Sequence, residues 1–279
     1  YLTNLPRVKD IETMIKLLES LGSKVKYLKN NNSISIHNDR KIKTFVAYNL
    51  VKTMRAGILV LGPMLARFGK AKVSTPGGCS IGIRPIDIHL KSLVKLGVKY
   101  KIIDGYVHAY SNKKLKGTKI KFPKISVGAT ENLIIASSMA EGKTILSNCA
   151  IEPEIKDLIN FINSIGGNIK WIGKRTLRIF GVNKFRESKY EIMPDRIEAG
   201  TYLIAGAITQ GNIKITGIDP NIIKTEIDIL KKIGAKIHLE KKQIKIIGSK
   251  IIKNINIKTS AYPGFPTDLQ AQLMVLLCK

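Results

Sequence analysis

LLESLGSKVKY at residues 17–27 ends an amphipathic helix on a leucine–glycine pair and passes directly into an alternating strand. Glycine suits this position because it adopts the left-handed conformation that closes a helix without a Cβ clash. The phrase recurs as LVKLGVKYKI (93–102), INSIGGNIKWI (162–172) and LKKIGAKIHL (230–239). Its glycines are Gly22, Gly97, Gly166 and Gly234. Their spacings of 75, 69 and 68 residues predict a repeated structural unit.

A second phrase alternates with the first. A helix rich in small residues ends in glycine and runs into a short strand, as in MLARFGKAKVS (64–74), SMAEGKTILS (138–147) and GAITQGNIKIT (206–216). Together the phrases predict a unit of about 70 residues with the order helix, two strands, helix, strand. Polar coils at Asn30–Ser33 and Ser111–Lys114 are predicted to be tight hairpin-like connections.

The formal charge of +27 raises the alternative of a nucleic-acid-binding protein. However, 38 of the 47 basic residues are lysines, and they are scattered along the whole chain. This distribution favours solvated lysine surfaces, which would also attract anionic metabolites. A basic nucleic-acid-binding module remains the alternative from another functional class.

Hydropathy and cysteine usage favour a protein of the cytoplasm. The longest apolar run, Gly57–Ala66, is too short to span a bilayer, and no signal-peptide pattern opens the sequence. Cys79, Cys149 and Cys278 have neither disulfide-framework nor zinc-site spacing. Cys149 and Cys278 lie in apolar surroundings and are expected to be inert small hydrophobic residues. We therefore expect a cytoplasmic, membrane-free protein with reduced thiols.

The most unusual stretch is STPGGCSIGIRPIDIH at 74–89. Its Pro-Gly-Gly run predicts a loop that presents Cys79, and Pro85 can begin the helix that carries Asp87 and His89. A cysteine beside Arg84 and backbone amides is expected to have a lowered pKa, as suits a nucleophile or proton donor. The alternative, an inert small hydrophobic residue, stays open from the residues alone.

Charged and hydroxyl residues lie at the predicted start of the second helix of each unit. The segments are Lys52–Arg55, Lys124–Gly128, Asp195–Arg196 and Pro266–Asp268. Free N–H groups and the positive end of the helix dipole make such positions natural anion sites. Simple helix capping by Thr, Ser or Asp is the alternative at each one.

Five segments together resemble a known family. LVKTMRAGILVLGPMLARFGKAKVSTPGGCSIGIRPIDIH (50–89) is similar to the core of UDP-N-acetylglucosamine 1-carboxyvinyltransferases. KISVGATENL (124–133), EPEIKDL (152–158), MPDRIEAGT (193–201) and FPTDLQAQ (265–272) follow in the family's order. The related shikimate-pathway transferase shares the fold without the PGGC loop, which makes it a weaker match.

The resemblance implies a mixed α/β (α+β) fold, the inside-out α/β barrel of enolpyruvyl transferases. That fold has two domains, each built from three helix–strand units around buried helices. We expect residues 1–193 to form the first domain without its N-terminal closing helix, and 194–279 to form part of the second. The chain as given is expected to be inactive.

The resemblance also implies roles for individual residues. Cys79 matches the proton donor, Asp268 the base beside the sugar hydroxyl, and Arg84 a catalytic residue that contacts phosphate. The substrate-binding residues it implies are Arg55, Arg84, Pro85, Ile86, Asp87, Ile88, Lys124, Ile125, Ser126, Val127 and Asp268. Support roles fall to Glu152, Glu154, Asp195 and Arg196, which resemble residues lining the interdomain cleft.

The implied reaction transfers the enolpyruvyl group of phosphoenolpyruvate to UDP-N-acetylglucosamine, the first committed step of peptidoglycan synthesis. The implied partners are these two small molecules, with no cofactor, metal, nucleic acid or membrane. His37, His108 and His238 are expected to be structural, since each lies in a strand-like pattern without a second ligand at metal spacing. A non-catalytic relative that keeps only nucleotide-sugar binding is a further alternative.

Overall fold

The computed structural model describes residues 1–28, 32–38, 42–46, 48–51, 54–75 and 86–279, with Asn49 and Arg55 described by their backbone alone. The helices of this part of the chain are α1 (Lys9–Leu21), α2 (Tyr48–Val51), α3 (Leu61–Phe68), α4 (Asp87–Lys95), α5 (Val127–Ser137), α6 (Pro153–Ser164), α7 (Arg196–Ile208), α8 (Lys224–Ile233) and α9 (Gln270–Leu277). Its 3₁₀ segments are Arg55–Val60, Pro220–Ile223 and Thr267–Leu269.

The strands are mostly short and antiparallel. They are β1 (Leu2–Thr3), β2 (Ser23–Tyr27), β3 (Ile34–Asn38), β4 (Phe45–Val46), β5 (Lys70–Ser74), β6 (Lys99–Ile103), β7 (Tyr106–Tyr110), β8 (Lys119–Lys121), β9 (Lys143–Ser147), β10 (Asn168–Gly173), β11 (Thr176–Phe180), β12 (Tyr190–Glu191), β13 (Asn212–Thr216), β14 (Lys236–Glu240) and β15 (Gln243–Ile247).

The predicted repeat is confirmed. Each of the first three repeats supplies a helix, a strand pair, a second helix and a strand, and the fourth supplies α8, β14, β15 and α9. The four-stranded sheets repeat one arrangement, β4-β5-β7-β6, β8-β9-β11-β10 and β12-β1-β3-β2, and the fourth sheet is β13-β15-β14. Small sheets of three or four strands are stabilised when helices pack on their apolar face. This is the mixed α/β repeat architecture expected from the sequence.

The predicted unit was incomplete, because a third short strand precedes its second helix. These strands are β4, β8 and β12, which pair in parallel with β5, β9 and β1. Leu2 pairs with Tyr190, so the two ends of residues 1–192 meet in one sheet. A strand of two or three residues is too short to show alternation, and only its distant partner defines it.

Glycines close the helices where the first phrase predicts them. Gly22, Gly97, Gly166 and Gly234 have φ values of 108°, 99°, 103° and 118°. A side chain is strained in this region, so substitution at these positions would oppose the helix ends. In the second phrase Gly69 and Gly142 are also left-handed, but in the third copy Gln210 (φ 56°) takes that conformation instead of Gly211.

The hairpin prediction at Ser111–Lys114 was wrong. This segment links β7 to β8, which lie in different sheets. The tight turn lies earlier, at Asp104 and Gly105 between β6 and β7, where both residues have positive φ (51° and 74°). Asp-Gly is the pair that two-residue hairpins favour. In the other predicted connection, Asn30–Ser33, Asn30 and Asn31 lie outside the described residues.

The chain divides into two compact units, Tyr1–Ile192 and Met193–Lys279. The first is organised around α5, which is buried on nearly all sides and packs against α3, α4 and α6. In the second, α7 packs against α9, β13 and β15 around its own apolar core. Among the described residues, no helix has the length and apolar character needed to cross a bilayer.

Candidate functional site

Three predicted site residues, Cys79, Arg84 and Pro85, lie outside the described residues. The side chain of Arg55 is also outside the description, although its backbone begins the 3₁₀ segment Arg55–Val60. The structure therefore leaves the loop chemistry as a prediction. What it does describe is the start of α4, the start of α5 and the turn that carries Asp268.

The start of α4 presents Asp87 and buries Ile88. Ile86 is the N-cap residue, without a side-chain capping bond. Asp87 lies in the first turn, where a carboxylate interacts favourably with the helix dipole, and pairs at 3.4 Å with Lys91 across exposed surface. The Ile88 side chain is 5 % exposed, so only its backbone is positioned to meet a ligand.

His89 of α4 connects α5 and the 3₁₀ segment Arg55–Val60 within the compact unit Tyr1–Ile192. Sequence reasoning missed this role. His89 is buried, and Asn132 of α5 places its Nδ2 atom 3.1 Å from His89 Nδ1 and 3.2 Å from the Ile58 carbonyl oxygen. Since the amide donates, Nδ1 accepts and the ring proton lies on Nε2. Burial lowers the pKa of His89 to about 4, against an opposing effect of Asp87. The imidazole is therefore neutral at pH 7.

The start of α5 combines a cap with an exposed cation. Ser126 is the N-cap residue, and its Oγ accepts a 3.4 Å hydrogen bond from the Ala129 amide. Lys124 and Val127 are exposed and Ile125 is half-buried. The capping alternative therefore holds at Ser126, while Lys124 and the free N–H groups of the first turn could bind an anion.

Carboxyl groups gather where α5 meets the start of α6. Burial raises the pKa of Glu131 to about 7, and the charges of Glu154 and Glu152 add to the effect. Glu152 is 6 % exposed and precedes Pro153, the first residue of α6. Near pH 7 a large fraction of Glu131 is therefore protonated, whereas an ordinary surface carboxyl is ionised.

In the compact unit Met193–Lys279, Asp195 caps the start of α7. Its Oδ1 accepts hydrogen bonds from the Ile197 and Glu198 amides at 2.8 and 3.2 Å, so the capping alternative holds here too. Arg196 follows and is buried, with Nη1 3.6 Å from Glu226 Oε1. The guanidinium carbon lies 5.7 Å from the centre of the Tyr262 ring.

Asp268 differs from these capping residues. It lies inside the 3₁₀ segment Thr267–Leu269, whose N-cap residue is Pro266, and no side chain caps the segment. Its neighbour Leu269 is fully buried, whereas Asp268 is exposed. Capping is therefore the wrong interpretation at this position, and the carboxylate is available to solvent or ligand.

Two described cysteines have different surroundings. Cys149 is buried as expected, and burial raises the pKa of its thiol to about 12. The expectation for Cys278 was wrong, because this residue is exposed. His37, His108 and His238 lie in β3, β7 and β14. The part of the chain that the structure describes has no group of three potential metal ligands.

Residues 1–278 match the family model described as EPSP synthase (3-phosphoshikimate 1-carboxyvinyltransferase). Two curated relatives are named UDP-N-acetylglucosamine 1-carboxyvinyltransferase. The protein of Pelagibacter ubique is 72 % identical over 278 residues, covering 100 % of this chain and 66 % of the relative. That of Trichlorobacter lovleyi is 47 % identical over 277 residues, covering 99 % and 66 %. The chain thus spans about two thirds of the length of these relatives.

Solved structures with the same fold are more distant in sequence. The enolpyruvyl transferase NikO from Streptomyces tendae has a TM-score of 0.84 at 20 % identity, over 99 % of this chain and 66 % of that one. An EPSP synthase from Acinetobacter baumannii has a TM-score of 0.68 at 19 % identity, over 99 % and 62 %. At these identities the likeness supports the fold alone.

Proposed function

Since the chain belongs to the EPSP synthase family, we propose that its protein transfers the enolpyruvyl group of phosphoenolpyruvate to the 3-hydroxyl of UDP-N-acetylglucosamine, releasing phosphate. The observation that carries the proposal is the high identity, over the whole chain, to relatives named for this reaction.

The reaction is an addition followed by an elimination. The sugar 3-oxygen attacks C2 of phosphoenolpyruvate while a base takes the hydroxyl proton and an acid protonates C3. The tetrahedral adduct then loses a proton from C3, expels phosphate from C2 and regains the double bond. A positioned acid or base contributes about 10²–10⁴ to such a rate. Fixed positive charges are needed throughout to stabilise the phosphate and carboxylate.

We assign Asp268 as the base and Cys79 as the proton donor. The exposure of the Asp268 carboxylate and its freedom from capping support the assignment, because a base must reach its substrate. Arg84, Arg55 and Lys124 supply positive charge for the phosphates. The segments Arg84–Ile88 and Lys124–Val127 bind the nucleotide sugar, Ile88 through its backbone because its side chain is buried.

We further propose that the protein acts in the cytoplasm, in the first committed step of peptidoglycan synthesis. Both substrates are anionic metabolites of that compartment, and the basic net charge would favour their approach. The chemistry requires acids, bases and cations that side chains provide.

The decisive assay uses protein made from the complete coding sequence. With phosphoenolpyruvate present, phosphate release should require UDP-N-acetylglucosamine, and shikimate 3-phosphate should not replace it. Release with the shikimate acceptor alone would assign the other activity of the family. Calorimetric binding of the nucleotide sugar without turnover would favour a non-catalytic relative. Salt-sensitive binding to generic duplex DNA, without nucleotide-sugar binding, would favour the nucleic-acid alternative.

The Cys79 assignment has a separate test. A thiol-directed epoxide of the fosfomycin type should label the protein at one site, and Cys79→Ser should abolish the labelling. Cys278→Ser is the matched control, since this thiol is exposed and lies outside the proposed site. Labelling that survives in Cys79→Ser and disappears in Cys278→Ser would show that Cys278, and not Cys79, is the reactive thiol.

A further inference from the structure

Arg196 occupies a position that neither its helix nor solvent explains. It is the first residue of α7, at the positive end of the dipole, where a cation is unfavourable. The helix already has its cap in Asp195. Arg196 is only 6 % exposed, and a buried charge requires a partner. The contacts of the guanidinium must therefore explain why this charge is buried.

Those contacts connect three segments of the second unit. The guanidinium pairs with Glu226 in the first turn of α8, and both side chains are more than nine-tenths buried. It also lies over the ring of Tyr262, at a distance typical of a cation–π contact. One cation thereby ties α7 and α8 to the segment 259–266.

That segment is also held by hydrogen bonds. Thr225, next to Glu226, donates its hydroxyl to the Pro263 carbonyl oxygen at 2.5 Å. Within the segment, the Ser260 amide donates to the Phe265 carbonyl oxygen at 3.0 Å, and Phe265 is buried. The segment therefore has a fixed path into the 3₁₀ turn that carries Asp268.

On its other side the turn is fixed to α7 itself. Leu269 packs so closely on Gly200 that a Cβ there would lie 2.5 Å from Leu269 Cδ1. One helical turn later, Gln272 Nε2 donates to Thr201 Oγ1 at 3.1 Å. The backbone of Asp268 is thus held from both sides while its carboxylate stays exposed.

We propose that Arg196 is a positioning residue for Asp268, acting through Tyr262 and the segment 259–266. The inference rests on the proposed function, in which Asp268 is the base. An error of about 1 Å in placing a catalytic group can cost roughly 10²-fold in rate. A cation that fixes the approach to the Asp268 turn therefore affects turnover without touching substrate.

The test separates positioning from stability by replacing both members of the buried pair. Exchange of a buried ion pair for apolar residues of similar volume is often neutral for stability, whereas removal of one member is costly. In protein from the complete coding sequence, Arg196→Met with Glu226→Leu should keep the thermal midpoint near wild type. Its kcat should fall roughly 10²-fold, with little change in KM for the nucleotide sugar.

A second arm tests whether the effect passes through Asp268. In an Asp268→Asn background, the Arg196→Met and Glu226→Leu pair should lower kcat no further, because residues that act as a unit are non-additive. Arg196→Lys should fall between wild type and the pair, because lysine keeps the charge and loses the planar guanidinium. Asp219→Ala is the matched control: it removes a cap before α8 without touching the 259–266 segment, and should leave kcat unchanged.

A double variant with wild-type kcat would overturn the proposal and leave the pair purely structural. An equal further loss in the Asp268→Asn background would also overturn it, since the effect would then bypass the base. Failure of the wild-type protein to release phosphate would instead count against the proposed function. If the double variant does not fold, the Arg196→Lys result in the two backgrounds decides the same question.

Discussion

Asp195 and Asp268 both stand at the start of the second helix of a repeat, and their carboxylates have different surroundings. Asp195 lies one residue before α7 and accepts two backbone N–H groups. Asp268 lies two residues after the N-cap residue Pro266, as the second residue of its 3₁₀ segment, and makes no capping bond. A shift of two positions relative to the N-cap thus separates an aspartate that stabilises a helix from one available for chemistry.

The largest effect should come from Asp268→Asn. Loss of a general base lowers the rate by about 10²–10⁴-fold, and the amide cannot take the hydroxyl proton. Because the residue is exposed and caps nothing, the free energy of unfolding should change by less than about 0.5 kcal/mol. Steady-state turnover measures the loss of the base, and calorimetry measures whether UDP-N-acetylglucosamine still binds. Wild-type turnover would remove Asp268 from the base role, and loss of nucleotide-sugar binding would make it a binding residue instead.

A third carboxyl, Glu131, is neither a cap nor exposed, and its effect should depend on pH. Its pKa rises from an ordinary 4.5 to about 7, so between these values the folded state holds a proton that the unfolded chain has lost. Stability therefore falls as pH rises through this window, by at most about 3 kcal/mol. Glu131→Gln should be more stable than wild type at pH 8, with a much smaller gain at pH 5.

Urea unfolding at the two pH values measures this difference. Exposed Glu141→Gln is the matched control and should change stability little at either pH. An equal gain from Glu131→Gln at pH 5 and pH 8 would contradict the electrostatic cause and point to better packing of the amide.

The sequence was sufficient for features that depend on neighbouring residues. Helix ends at Gly22, Gly97, Gly166 and Gly234 were predictable because a left-handed residue is a local requirement that glycine meets. The hairpin at Asp104 and Gly105 was equally local, and its Asp-Gly pair was the available signal.

Features that depend on distant residues were not predictable in this way. β12 consists of two residues and exists because it pairs with β1, 188 residues earlier. The burial of Arg196 and His89 likewise depends on Glu226 and Asn132, which the fold brings close. From the helical sequence pattern alone, Arg196 and His89 would each be expected on the solvent-exposed face of a helix. The position of Asp268 relative to its cap required the actual helix start.

The smallest effects should come from the two caps themselves, and they should differ from each other. Asp195→Ala removes two charge-assisted bonds of 2.8 and 3.2 Å and should cost about 1 kcal/mol of unfolding free energy. Ser126→Ala removes one neutral bond of 3.4 Å, at the limit of useful length, and should cost about 0.5 kcal/mol or less. Asp195→Asn keeps an acceptor and should recover most of the loss. Chemical unfolding at neutral pH measures all three, and a Ser126→Ala cost that equals or exceeds that of Asp195→Ala would mean that bond length and charge do not rank these caps.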